Sequence, residues 1–215
     1  MINKLLDLSL DELLTTTRTV RKRLDFDRPV PRELIKNCID IALQAPNGSN
    51  RQNWNWIVID DSETKQKIGD LYRQAAAIHQ QLMAEQTGAD VMAAYSGAML
   101  DSIQYLMQHI QDAPVLVIPT IDGRAEDWDV VRQASQWGSV LPPSWNFMLA
   151  LRARGLGSAW TTVHLRKEKE FAELLGIPFD QCTQACLLPV AYTKGTTFKT
   201  GPRIDVEDVV HWNQW

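Results

Sequence analysis

Residues 113–122 read APVLVIPTID, and this run narrows the possible folds more than any other feature of the chain. A strand with one wet face alternates apolar and polar residues. This one is apolar at nearly every position, so both of its faces need cover. Segments with helical spacing surround it: RELIKNCIDIA with Leu34, Ile35, Cys38, Ile39 and Ala42, DSETKQKIGDLYRQAAAIHQQLMAEQ, ADVMAAYSGAMLDSIQYLMQHIQ, SWNFMLALRARGLG and RKEKEFAELLGIP. Shorter runs, WNWIVID, SAWTTVHL and QACLLPVAYT, read as further strands. Helices alternating with a few buried strands predict one layered domain over residues 1–215, its sheet covered on both sides.

Local punctuation agrees with that reading. Ser9 before Asp11 and Glu12 predicts a capped helix start, and Pro31 sits near the first helical position of the next helix. Pro46 and Gly48 stop that helix, and Thr87-Gly88 interrupts the long one. The tail KGTTFKTGPRIDVEDVVHWNQW reads as a loop followed by a short helix or extended arm. It carries Trp212 and Trp215, so it is expected to dock on its own body or on another subunit.

Composition excludes several classes. A net charge of -4 gives no electrostatic footprint for nucleic acid. Three cysteines are too few for a disulfide framework and suit a reducing cytoplasm. Cys182 and Cys186 have no histidine close by, so small buried hydrophobes are expected rather than a zinc site. The start MINKLLDLSLDELL lacks the pattern of a signal peptide, and no run is long enough for a membrane span, so a cytoplasmic protein is expected.

Familiar catalytic signatures are missing. There is no G-x-S-x-G, H-E-x-x-H or G-x-x-x-x-G-K-[ST]. RGLGSAW supplies G-x-G, but it follows a helix and enters a strand, which makes it a helix C-cap rather than a dinucleotide fingerprint. His79 and His109 fall in helical patterns, on solvated faces, while His164 and His211 have no partner the sequence can name. No side chain is assigned a catalytic role and none a metal. A chain without an acid, base or nucleophile set can leave the reaction to a cofactor.

Three polar islands remain. TTTRTVRKR puts Arg18, Arg21, Lys22 and Arg23 beside Thr15, Thr16, Thr17 and Thr19. It is either a solvated basic face or an anion site, and a helical turn would aim Arg18 and Arg21 the same way. The loop APNGSNRQNW holds more amide donors and acceptors than chain reversal needs. FKTGPRID sets Lys199 and Arg203 around a Gly-Pro turn.

In this order, the basic patch, the Pro-Val-Pro helix start, A-P-x-G-x-N-x-Q-x-W, a strand and a late arginine resemble the nitroreductase family of FMN-dependent oxidoreductases. The resemblance runs through LALRARGLGSAW to GPRIDVEDVVHW. The chain departs from the family pattern at Thr17 for arginine, Thr19 and Asn47 for serine, and Asn53 for proline. The resemblance implies an α+β fold: a three-layer α/β/α sandwich with a mixed, mostly antiparallel sheet and a C-terminal arm exchanged in a homodimer. It implies FMN as cofactor, NADH or NADPH as reductant, and a small oxidised acceptor such as a nitroaromatic or quinone, reduced by a ping-pong mechanism. By resemblance, Arg18, Thr19, Arg21 and Arg203 contact the phosphate and ribityl chain. Pro46, Asn47, Gly48, Asn50 and Gln52 line the ring and ribityl side, often from the neighbouring subunit, with Gly48 allowing close backbone approach. Gly157, Thr161 and Thr162 approach the ring from the strand after the last core helix. Alternatives within the same scaffold are a flavin store or sensor, a dehalogenase and a flavin-destroying enzyme.

Overall fold

The computed structural model describes residues 5–87 and 97–215. Its centre is β3 (Val115–Asp122), buried at every position but the last. β3 pairs with β2 (Trp54–Ile59) on one side, and with β5 (Cys182–Gln184) and β6 (Leu188–Thr193) on the other. β6 in turn carries β4 (Leu156–Ser158) and the short β1 (Leu24–Asp25). Every pairing between these strands is antiparallel. The parallel element is a single bridge from Thr19 to Ser158.

Period-two geometry on β3 divides the core into two layers. Val115 and Val117 pack with Leu34, Cys38 and Phe147 from α2 (Arg32–Ala42) and α5 (Val130–Arg152). Leu116 and Ile118 face the other way, toward Ile68 and Tyr72 of α3 (Ser62–Thr87), Leu106 of α4 (Gly97–His109) and Phe171 of α6 (Glu168–Leu175). The result is the α+β sandwich with a mostly antiparallel sheet. The expected segment ADVMAAYS, at the head of the helix that contains α4, lies outside the described residues.

Four local expectations change. The first helix, α1 (Leu10–Thr16), begins as read, with a reciprocal capping box between Ser9 and Glu12. It ends before the basic run, however. The hydroxyls of Thr15, Thr16 and Thr17 each donate to the carbonyl four residues back at 2.6 Å, and Thr17 turns extended. Val20 N–H then donates to the Ser158 carbonyl at 2.8 Å. In extended chain, residues three apart point to opposite sides, so Arg18 and Arg21 do not share a helical face.

The second change is α5, which begins at Val130, well before Ser144, where the helical pattern first reads clearly. Asp129 caps it by accepting from the N–H groups of Val131 and Arg132. Pro142 and Pro143 remove two donors from its interior. The helix continues through them because Val140, Phe147, Met148 and Leu151 are buried along it.

Third, SAWTTVHL is strand only at Ser158: Thr161 makes an isolated bridge with Leu187, and Val163–Lys167 form a 3-10 turn. QACLLPVAYT is likewise split between β5 and β6. Fourth, of the two docking places expected for the tail, its own body takes residues 194–199 but not the end, residues 204–215. Apart from the 3-10 turn Val206–Asp208 it is irregular, and Trp212 and Trp215 are 81% and 101% exposed.

The cysteines are free and buried, and burial pushes the Cys38 thiol up to about 11. No described helix is long and apolar enough to cross a membrane.

Candidate functional site

Two arginines from opposite ends of the chain meet at Gly201. Arg18 Nη1 donates to the Lys199 carbonyl at 3.0 Å. A Cβ added to Gly201 would stand 2.8 Å from Arg203 Nη1 and 3.2 Å from Arg18 Nη2. The missing side chain is therefore what lets the two guanidinium groups approach each other. Like charges held this close repel, and an anion between them would relieve the repulsion through charge-assisted hydrogen bonds.

Beyond this corner the chain passes under β4. Gly157 is buried there, and a Cβ on it would fall 2.7 Å from Thr193 Cγ2 and 3.1 Å from Val20 Cγ2. Its small size lets the residue 20 segment lie flat on the sheet, which delivers Arg21 to a cavity of about 250 Å³. Tyr72 and Met83 of α3, Leu106 and Met107 of α4, and residues 160–163 line the same space. Arg21 Nη1 donates to Ser102 Oγ at 3.2 Å. The Tyr72 hydroxyl lies 2.8 Å from Thr161 Oγ1, and burial raises the phenol's pKa. The Thr161 backbone exchanges both hydrogen bonds with Leu187, so this wall is fixed on the sheet side, with Thr162 exposed beside it. His79 is at the rim. Burial, and then the Arg166 charge, lower its pKa.

The amide loop occupies a different place. Ser49, Asn50 and Gln52 all have positive φ, at 55°, 51° and 52°. Such backbone costs on the order of 1 kcal/mol or more per residue and collects at functional sites. Part of the loop's capacity goes to its own shape: Gln52 N–H donates to Asn47 Oδ1 at 3.0 Å, and Gln52 Nε2 to Asn50 Oδ1 at 3.2 Å. Gly48 packs on α5, with its N–H donating to Ser139 Oγ at 2.8 Å and Ser135 Oγ only 2.4 Å from where a Cβ would be. Its close approach in this chain is therefore to a helix. Gly48 and Arg51 border a second cavity of about 200 Å³, together with Trp128, Arg132 and Gln136. Pro46 is exposed at the loop's entry.

One chain thus brings Arg18 together with Arg203, and Arg21 together with Thr161 and Thr162. Thr19 is exposed and bridges to Ser158 between these two groups. The cavity beside Gly48 shares no lining residue with the cavity beside Arg21. Sequence reading did not single out Tyr72, Ser102 or Ser139. Tyr72 and Ser102 belong to ordinary helical patterns, Ser139 lies in the stretch of α5 ahead of the readable pattern, and only tertiary packing gives them their partners. Gly201 had a visible signal, the Gly-Pro turn between two cations, but not a visible partner.

The nitroreductase family pattern matches residues 14–192, which contain α2 to α6 and every strand except the last residue of β6. The chain belongs to the nitroreductase family. Among curated relatives, a Methanothermobacter thermautotrophicus protein named putative NADH dehydrogenase/NAD(P)H nitroreductase is 26% identical over 213 residues, covering 95% of this chain and 86% of that one. Iodotyrosine deiodinase 1 of Rattus norvegicus is 27% identical over 190 residues, covering 86% of this chain and 63% of the deiodinase, so this chain spans less than two thirds of that relative's length. A solved structure of oxidized iodotyrosine deiodinase bound to FMN and 3-iodo-L-tyrosine superposes with a TM-score of 0.72 at 22% identity, covering 96% of this chain and all of that one. As a member of the nitroreductase family, the chain is a nitroreductase-type oxidoreductase.

Proposed function

We propose that this family member binds FMN, takes hydride from NADH or NADPH, and reduces an electron-poor small molecule such as a nitroaromatic or quinone by a ping-pong mechanism. The observation that carries the reading is the meeting of Arg18 and Arg203 across Gly201, a cationic corner whose charge and guanidinium donors suit a phosphomonoester. When bound, FMN supplies the hydride acceptor and donor. The chain's own residues bind and orient. Arg18 and Arg203 hold the phosphate, with Thr19 adding a hydroxyl. Arg21 reaches the ribityl chain, Thr161 and Thr162 approach the ring, and Tyr72 holds Thr161 in place. Met83, Leu106, Met107 and Trp160 give the cavity an apolar lining that limits water.

The loop with Pro46, Asn47, Gly48, Asn50 and Gln52 completes the site from a second copy, with Gly157 supporting the opposite wall. Two features support a homodimer. The loop's cavity is separate from the Arg21 cavity within one chain, and the exposed arm offers Ile204, Val206, Val209, Trp212 and Trp215 for burial. An obligate interface of this kind buries more than about 2,000 Å².

The test is spectroscopic. Purified protein should be yellow or take up FMN, run as a dimer, and lose its visible absorbance when NADH or NADPH is added without oxygen. A colourless protein that takes up no FMN sinks the proposal. Colour that persists with both reductants points to a flavin store instead.

The relatives named iodotyrosine deiodinase favour a second reading, reductive removal of halide from a halogenated phenol. Free iodide released from 3-iodotyrosine by the reduced protein decides for it, and reduction of a quinone without halide release decides against it.

A further inference from the structure

The cationic corner hangs on residues 194–203, a segment with no regular secondary structure of its own, and something must hold it still. Arg23 supplies part of the hold. Its Nε, Nη2 and Nη1 donate to the carbonyls of Lys194, Gly195 and Thr197 at 3.1, 2.9 and 2.9 Å. All of these carbonyls lie on one segment, so the fork acts as a template for its backbone.

The next residue, Phe198, has a guanidinium near its ring from two elements. Arg23 Cζ lies 4.0 Å from the ring centroid and Arg152 Cζ lies 4.9 Å from it. Arg152 is an unusual companion. It is 4% exposed, its Nη2 reaches Thr16 Oγ1 at 3.3 Å, and its Nε and Nη1 have no hydrogen-bond partner among the described residues. A buried guanidinium beside a like charge is costly, and the π-face of Phe198 is what meets both cations. One residue further on, the Lys199 carbonyl takes the Arg18 bond, and two beyond that Gly201 seats Arg203.

We infer that Arg23, Phe198 and Arg152 form a cation–aromatic clamp that positions the Lys199–Gly201–Arg203 turn, and through it sets affinity for the phosphate of the cofactor. Phe198 is the positioning residue, since its ring is the part shared by both cations. The inference rests on the FMN reading above, and the experiment separates the two.

Protein freed of flavin is titrated with FMN and, separately, with riboflavin, which lacks the phosphate. Phe198→Leu keeps an apolar side chain but removes the ring. It should raise the dissociation constant for FMN about tenfold, on the order of 1.4 kcal/mol, while leaving that for riboflavin unchanged. Phe198→Tyr keeps the ring and should restore FMN binding to near the wild-type value. The clamp is overturned if Phe198→Leu binds FMN as wild type does while Arg203→Ala does not. It is also overturned if Phe198→Leu weakens FMN and riboflavin equally, or if Phe198→Tyr fails to rescue. If the wild type itself takes up neither flavin, the FMN reading falls and the clamp's role falls with it.

Discussion

Replacing Arg203 by alanine separates phosphate binding from mere surface charge, because Lys199, four residues earlier, provides a control. Among the described residues, Arg203 is tied to protein only through Nη1, which donates to the neighbouring Pro202 carbonyl at 2.7 Å. Its remaining donors are available to an anion. A charge-assisted hydrogen bond is worth roughly 1.5–3 kcal/mol, so Arg203→Ala should weaken FMN binding about ten- to a hundredfold. Lys199 acts through its backbone carbonyl, which accepts from Arg18 at 3.0 Å and survives truncation of the side chain. Lys199→Ala removes only a solvated charge, worth less than about 1 kcal/mol, or about fivefold. Quenching of flavin fluorescence during titration of flavin-free protein measures both variants, with riboflavin as the control that has no phosphate. The difference should also grow as salt is lowered, since both cations are exposed. Equal FMN affinity in the two variants refutes the assignment, as does an Arg203→Ala loss that riboflavin shares in full.

Three stability predictions follow from other parts of the structure. Asp129→Ala leaves the Val131 and Arg132 N–H groups without their cap, and urea unfolding should show a loss of about 0.5–2 kcal/mol. Gly157→Ala forces a Cβ against Thr193 and Val20, and should lower the unfolding midpoint by an amount equivalent to about 1–3 kcal/mol. His164 is fully buried with neither ring nitrogen partnered among the described residues, and burial lowers its pKa to about 3. Its folded pKa lies below the unfolded value of about 6.5, so its contribution is complete above about pH 6.5. That contribution falls by about 1.4 kcal/mol per pH unit as the unfolded chain takes up the proton, until the pH nears the folded pKa. His164→Phe should flatten stability between about pH 6.5 and 5 by about 2 kcal/mol, and urea midpoints with the same pH slope in both proteins contradict this.

The parts of the fold legible in the sequence are those with a local cause. The doubly covered β3 is visible because each of its residues must meet a neighbour, whichever face it is on. Ser9 with Glu12 marks α1. The start of α5 was hidden because Pro142 and Pro143 break the local pattern, while the energy that keeps the helix comes from burial against the sheet. The end of α1 was hidden for the converse reason. Arg18 and Arg21 keep helical spacing, but three consecutive threonines bond back to their own turn, and Ser158, remote in sequence, offers Val20 a sheet partner instead.

The site divides along the same line. A surplus of amides in APNGSNRQNW was readable, but the direction of each amide was not, and the loop spends some of them on Asn47, Asn50 and Ser139. Its strained backbone is the more informative feature. Ser49, Asn50 and Gln52 stay left-handed although hydrogen bonds within the loop and to α5 are what the chain itself supplies to hold them. The cationic corner shows the limit of sequence periodicity most clearly. Arg18 follows one helix and Arg203 precedes an irregular tail, and no local pattern links them. They meet because β4 and β6 run side by side and because Arg23 fastens residues 194–197. Motif order pointed to both arginines, but only the sheet explains why a glycine has to stand between them.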